Sequence, residues 1–320
     1  MHDIRQQLDN GVAHPGCKVC HLNESTNNQS LRQTFNEIWG RPTDVNLKHL
    51  ELNLGNLCNL KCRMCGSYSS SKWIADEEKM GKHPSALVRR TLANINLDFA
   101  NIQRLKLIGG EITLEQETVR NILLHAKAAA GSLDHLIINL VTNGTMPFSS
   151  EIMSLIGECK RVTVEVSIDG IGSVNDYQRS HAVWDIIADT ARYYHSMVDN
   201  KFRLHILSTV TAYNIHGIPD LIDWVATDLP LATHHVAPAY SPQQLTIRNL
   251  PQSYKDLMVA LFKNRIPVGN LKEIDALIRY MLYDADCSLD DVKQRMQLLD
   301  SLNEQQLQEF IPVLYQHMFG

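Results

Sequence analysis

Apolar and polar positions alternate with a period of two in several short stretches of the chain, and with a helical period in the segments between them. In the stretch 162–169, Val162, Val164, Val166 and Ile168 fall on one face, while Thr163, Glu165, Ser167 and Asp169 fall on the other. That is the spacing of a strand with two unlike faces. Similar runs predict strands at about 48–54, 104–109, 134–141, 161–168, 203–211 and 232–237. Helical patterns at 115–130, 183–198 and 216–227 separate them. Strands alternating with helices of crossover length predict an α/β fold with a parallel sheet. An antiparallel sheet with one solvated face fits the alternation but not the intervening helices.

The polar face decides the kind of sheet. Glu51 and Asn53 share it on the first strand, and Arg203, His205 and Thr209 on the fifth. A filled barrel wants branched apolar side chains inside. A polar inner face predicts a partial (β/α)6 barrel around a cavity for a polar ligand, although an open sheet also fits. The expected organisation is an irregular N-terminal extension (1–41), this α/β core (42–240) and a C-terminal helical region (241–320) that opens after Ala237-Pro-Ala-Tyr-Ser-Pro242. Helices are expected there around 252–263, 270–284 and 289–316. Leu271, Ile274, Leu277, Ile278 and Met281 lie at helical spacing as core positions.

Composition narrows the function classes. The 320 residues carry a net charge of −5, with 44% hydrophobic and 20% charged residues. This is the profile of an ordinary globular protein that buries a real core, and its charge disfavours nucleic acid as a partner. No apolar run approaches the roughly 18 residues that span a bilayer, so no membrane association is expected. The start, MHDIRQQLDNGVAHPG, lacks a signal-peptide core. The expected compartment is the cytoplasm, where the seven cysteines are read as ligands or isolated core thiols before disulfides.

Three of those cysteines lie in one loop. The first strand runs into Gly55-Asn-Leu-Cys58-Asn-Leu-Lys-Cys62-Arg-Met-Cys65-Gly66. Soft thiolates select zinc or iron–sulfur clusters, and a closed zinc site needs four protein ligands. Three ligands on a four-iron cluster leave one iron open, which separates a reactive cluster from an electron carrier. The spacing Cys-x3-Cys-x2-Cys resembles the radical S-adenosylmethionine (SAM) superfamily over about residues 45–240. The run through Ser69-Ser-Ser-Lys-Trp73 is similar to its SPASM/twitch branch, and more narrowly to twitch-type proteins of phage genomes.

The resemblance implies a [4Fe-4S] cluster on Cys58, Cys62 and Cys65, with SAM on its open iron. It further implies that Gly109-Gly110-Glu111, at the end of the second strand, holds the SAM amino group. Ile112 stands where the family usually has Pro. Thr142-Asn143-Gly144 resembles the family's Thr-Asn-Gly. Ser167 and Asp169 would meet the ribose, and Arg179 the carboxylate, for which a guanidinium fork is suited. Met64 stands where many members carry an aromatic residue against the adenine; a thioether also packs on a base face. Reductive cleavage of SAM to a 5′-deoxyadenosyl radical, which abstracts hydrogen from a peptide or protein, is the implied activity. A nucleotide or small-metabolite substrate is the alternative, and a non-catalytic iron–sulfur or zinc interaction protein the reading from another class. A flavodoxin- or ferredoxin-type reductant is the implied electron donor.

Outside the core, Cys17-Lys-Val-Cys20 has the form of half a metal site. A second iron–sulfur cluster or a zinc ion there would need further ligands, from Cys287, His14 or His21; a free reduced pair fits equally well. With His21 the run also reads Cys-x-x-Cys-His, the c-type haem form, which the lack of an export signal disfavours. Cys159, just before a strand, reads as a small buried hydrophobe.

Overall fold

The computed structural model describes residues 6–7, 10–12, 14–17, 20–21, 24, 30–40, 47–92, 99–266 and 272–320. The chain divides into two compact units, Met1–Leu47 and Lys48–Gly320. The sheet and the C-terminal helices therefore belong to one unit. The expected boundary at 41/42 and Leu271 lie outside the described residues.

In the first unit, α1 (Leu31–Trp39) begins with a reciprocal cap. Gln33 N donates to Ser30 Oγ at 3.1 Å, and Ser30 N donates to Gln33 Oε1 at 3.0 Å. Each bond satisfies a backbone donor that a helix start leaves unpaired.

The second unit is built on six parallel strands in the unbroken order β1 (His49–Asn53), β2 (Arg104–Ile108), β3 (Ile137–Thr142), β4 (Arg161–Ser167), β5 (Phe202–Val210) and β6 (Thr233–Pro238). Between them come α2 (Ile74–Lys79), α3 (Gln116–Ala130), α4 (Ser150–Gly157), α5 (Ser173–Gln178), α6 (Trp184–His195) and α7 (Ile218–Asp228). Right-handed crossovers that never reverse the strand order put every helix on the same face. The sheet is thereby wound in the manner of a barrel, and β1 and β6 remain its two edges. This is the expected α/β partial barrel.

The two faces divide as the alternation predicts. Leu105, Leu107, Ile138, Leu140, Val164, Val166 and Ile206 are fully buried in the core, each contributing roughly 1.5–3 kcal/mol by leaving water. The opposite face carries Lys106, Asn139, Glu165 and His205. Lys106 pairs in register with Asn139, and Glu165 with His205. Lys106 Nζ lies 2.9 Å from Glu165 Oε2, and Asn139 Nδ2 donates to Glu165 Oε1 at 2.8 Å. The buried carboxylate is thus saturated by its neighbours on the polar face, as burial of a charge requires.

After β6 come α8 (Gln252–Arg265), α9 (Lys272–Met281), α10 (Leu289–Asn303), α11 (Leu307–Phe310) and α12 (Pro312–Phe319). Ile274, Leu277 and Met281 are buried, as their spacing predicts. The single helix expected over 289–316 is instead three. Glu304 turns left-handed (φ 52°), and Asp300 Oδ2 accepts from Leu307 N at 2.7 Å. Pro312 then starts a new helix, having no N–H to continue the old one.

His234 on β6 is a half-buried titrating group. The Ser208 hydroxyl donates to Ile168 O at 2.5 Å, so its oxygen accepts from His234 Nε2, 2.8 Å away. Burial pushes its pKa down to about 4; Glu273 opposes this and His235 adds to it. Between pH 6.5 and 4 the unfolded chain therefore binds a proton that the folded one refuses, so stability falls as pH falls through that window and is unaffected above it. Between pH 7 and 5 this group should remove on the order of 2 kcal/mol. Urea denaturation of metal-free protein should show His234→Gln losing less stability than wild type over that interval.

Candidate functional site

The cysteine loop leaves β1 through a backbone crossing that only glycine permits. Gly55 has φ 130°, and a Cβ there would lie 1.9 Å from Val88 O. Asn56 then ties the loop down from inside, donating to Ser67 O (2.7 Å) and Ala86 O (2.9 Å) and accepting from Val88 N (2.7 Å). The backbone around the cysteines is held by fixed donors. Ser70 Oγ donates to Leu60 O at 2.6 Å and Trp73 Nε1 to Cys62 O at 3.0 Å. Lys61 N donates to Ser180 O and Arg63 N to Gln178 O, both at 2.9 Å.

The turn after β2 presses against this loop. Gly110 N donates to Gly55 O at 2.8 Å and Glu111 N to Leu57 O at 2.7 Å. A Cβ on Gly110 would come within 2.3 Å of Leu57 O. Gly110 is thus required by the approach of two backbones, while Gly109 sits in a tighter than ordinary but less restrictive contact.

Glu111 is buried and fully engaged. It accepts from Thr113 N (2.9 Å), Thr113 Oγ1 (2.8 Å), Thr142 Oγ1 (2.8 Å) and Asn143 N (2.6 Å). Burial raises its pKa, and these bonds pull the other way. The carboxylate thereby fixes the end of β3. From there Asn143 Nδ2 donates to Asn59 Oδ1 at 2.9 Å and stands 3.9 Å from Cys58 Sγ.

Asp169 organises the next strand end. Its Oδ1 accepts from Thr209 N at 2.8 Å, and its Oδ2 lies 2.8 Å from Arg179 Nε in an ion pair. Arg179 Nη1 in turn reaches to 4.0 Å from Cys62 Sγ. Burial pushes the Asp169 carboxyl up, with Arg179 opposing. Burial also works against the Arg179 charge, but Asp169 and the neighbouring thiols outweigh it and raise its pKa further.

These elements enclose a cavity of about 240 Å³ at the C-terminal ends of the strands. Of the residues singled out from sequence, Cys58, Cys62, Cys65, Met64, Gly109, Gly110, Asn143, Ser167 and Arg179 line it. Glu111 and Asp169 lie one layer behind, each gripping a residue that does. Sequence reasoning passed over Asn59 and the binding of Cys62 O by Trp73, although the Cys-Asn-Leu and Ser-Ser-Lys-Trp runs contain them.

The thiols set the electrostatics. Burial pushes Cys58 up to about 11. The hydrogen bond that Cys62 gives to Cys65 raises the first and lowers the second. Buried thiols of this kind ionise when a metal replaces their protons. Among the described residues no three Cys, His, Asp or Glu side chains form a ready site for a single metal ion. The three thiols stand around a cavity instead, beside a fixed guanidinium and two bare glycine backbones. That donor set suits a soft, multi-atom ligand with an anionic companion better than one zinc ion, and the residues fit an iron–sulfur cluster with SAM. Cys17 and Cys20 are half-buried free thiols in the first unit; Cys159 is fully buried and Cys287 half-buried.

Fold and site together define an α/β half-barrel protein with a thiol-lined cofactor cavity at its strand ends. The model of the Radical SAM superfamily matches residues 52–225, more than half of the chain. The chain belongs to that superfamily. No curated protein matches it by sequence. Among solved structures, it is similar to histidine-tagged anSMEcpe with bound AdoMet (TM-score 0.50, 16% identity, 68% of this chain and 57% of that one). It is also similar to Streptococcus suis SuiB bound to the precursor peptide SuiA (TM-score 0.42, 16% identity, 68% and 47%). The chain thus spans less than two thirds of the length of either. At such identity the likeness concerns the fold.

Gly110→Ala should cost about 1–3 kcal/mol, the range of an overpacked site, because the obstructing atom is backbone. Gly109→Ala, whose Cβ would stand 3.3 Å from Gly55 O, should cost less. Urea denaturation of the two metal-free variants checks the order.

Proposed function

We propose that this protein is a radical SAM enzyme whose Cys58, Cys62 and Cys65 hold a [4Fe-4S] cluster. The observation that carries the reading is the convergence of three thiols and one buried guanidinium on a single cavity. Bound there, the cluster and SAM supply reductive cleavage of a sulfonium–carbon bond, giving methionine and a 5′-deoxyadenosyl radical that abstracts hydrogen from the substrate.

The chain's own part is placement. Arg179, aimed by Asp169, offers a planar fork to the SAM carboxylate. The Gly109-Gly110 backbone accepts from the SAM ammonium, with the Glu111 charge behind it. Ser167 supplies a hydroxyl for the ribose, and Met64 packs on the adenine. Asn143, held through Glu111, covers the Cys58 side of the cavity. The buried walls exclude water from a reactive intermediate.

The substrate we assign is a peptide or protein segment. Support comes from the unclosed sheet and its polar face, where Lys106, Asn139 and His205 stay partly exposed around the buried Glu165, and from the resemblance of the cysteine run to the SPASM/twitch branch. SuiB has been solved with its precursor peptide and anSMEcpe with a Kp18Cys peptide. A flavodoxin- or ferredoxin-type reductant completes the reading. Among the described residues no helix is long and apolar enough to cross a membrane.

Anaerobic reconstitution with iron and sulfide, followed by dithionite and SAM, should yield 5′-deoxyadenosine, and Cys58→Ala should yield none above background. Equal, absent product from wild type and variant under competent reconstitution would overturn the reading. Reconstituted wild type should carry about four irons per chain, and the Cys17→Ala/Cys20→Ala double variant the same number. Iron or zinc lost from the double variant would instead assign a second metal site in the first unit.

A further inference from the structure

The two basic residues that flank Cys62 do not face solvent or the cavity. Both run backwards into the end of α10. Lys61 Nζ donates to Leu302 O at 2.7 Å and pairs with Asp76. A carbonyl in the last turn of a helix is a favourable seat for a cation. Arg63 is completely buried. Its Nη2 lies 2.9 Å from Asp300 Oδ1 and donates to Gln305 Oε1 at 3.0 Å, while Nε donates to Tyr177 O at 2.8 Å. The guanidinium carbon sits 3.6 Å from the centroid of the Tyr177 ring and 5.2 Å from that of Tyr213. Tyr177 OH donates to the same Asp300 oxygen at 2.6 Å, and its ring stacks on Phe310 at 4.9 Å.

Tyr177 is two residues from Arg179, and the peptide carbonyls of Tyr177, Gln178 and Ser180 all accept from the cysteine loop. One side of this turn therefore presents Arg179 to the thiols, and the other is clamped to the C-terminal helices. A flexible loop of eight residues carrying three ligands would otherwise wander by more than a metal–ligand bond tolerates.

We propose that Arg63 is a positioning residue. Pinned by Asp300, Gln305 and Tyr177, it locks the 58–65 loop and the 177–180 turn into one rigid mount, so that the thiols and Arg179 keep their mutual placement. The C-terminal helices serve as the far half of that mount. What the loop holds rests on the function proposed above; the mount itself does not.

The test uses Asp300→Asn, which keeps the shape and removes the charge, beside Arg63→Met, the harsher change. In metal-free protein, iodoacetamide labelling followed by peptide mass spectrometry reads each cysteine separately, with the fully buried Cys159 reporting global opening. Cys62 and Cys65 in Asp300→Asn should be labelled about tenfold faster than in wild type, with Cys159 unchanged. In reconstituted protein the KM for SAM should rise by more than kcat falls, because the displaced groups are those that bind it. Unchanged labelling of Cys62 and Cys65, or an equal acceleration at Cys159, would overturn the proposal. If labelling responds as stated while wild type forms no 5′-deoxyadenosine, the mount stands and the radical chemistry falls.

Discussion

A single buried ion pair sets the conditions for the rest of the site. Asp169 is wholly removed from water and Arg179 nearly so, and their charged atoms stand 2.8 Å apart. Desolvating two charges is costly, and a pair survives only with good geometry and further hydrogen bonds. Asp169 has such a bond from Thr209 N. What the pair achieves is a positive charge held beside the thiols of Cys62 and Cys65, where it opposes the upward push of burial. With Arg179 in its wall, the thiol-lined cavity presents a positive charge as well as soft donors. Removing either partner would leave the other buried and uncompensated.

The winding of the sheet explains why such groups meet at all. With six parallel strands in sequential order, every strand ends at the same rim, and every βα connection passes over it. Cys58 follows β1, Gly110 follows β2, Asn143 follows β3, Asp169 follows β4 and Thr209 lies near the end of β5. Five chain segments far apart in sequence become neighbours. Layers then form: cavity-lining groups with little freedom, and behind them acids that hold them. Glu111 and Asp169 occupy equivalent stations in this second layer, one gripping Asn143 and the other Arg179. The C-terminal helices add a third layer on the side of the cysteine loop, through Arg63 and Lys61.

Much of this was legible in the chain itself. Strand ends observed at 49–53, 104–108 and 161–167 lie within two residues of those expected from alternation, because a period of two is a local property that a twisted sheet must respect. The polar face read from Thr163 and Glu165 is the face that carries Lys106 and His205. The break at Glu304 was not legible: residues 289–316 keep a helical pattern, and only the return of Leu307 N to Asp300 shows where the chain turns.

By itself, then, the sequence determined the elements, their order and the triplet of thiols at a strand end, since each depends on neighbours along the chain. Tertiary structure alone decided which polar groups face the cavity and which stand behind it. Spacing could mark Glu111 as a carboxylate near the site but not reveal that Thr113, Thr142 and Asn143 already use both its oxygens. Nor could it join Arg63 to Asp300, because attraction between two side chains so distant along the chain exists only after packing has brought them together and excluded the water that would screen them.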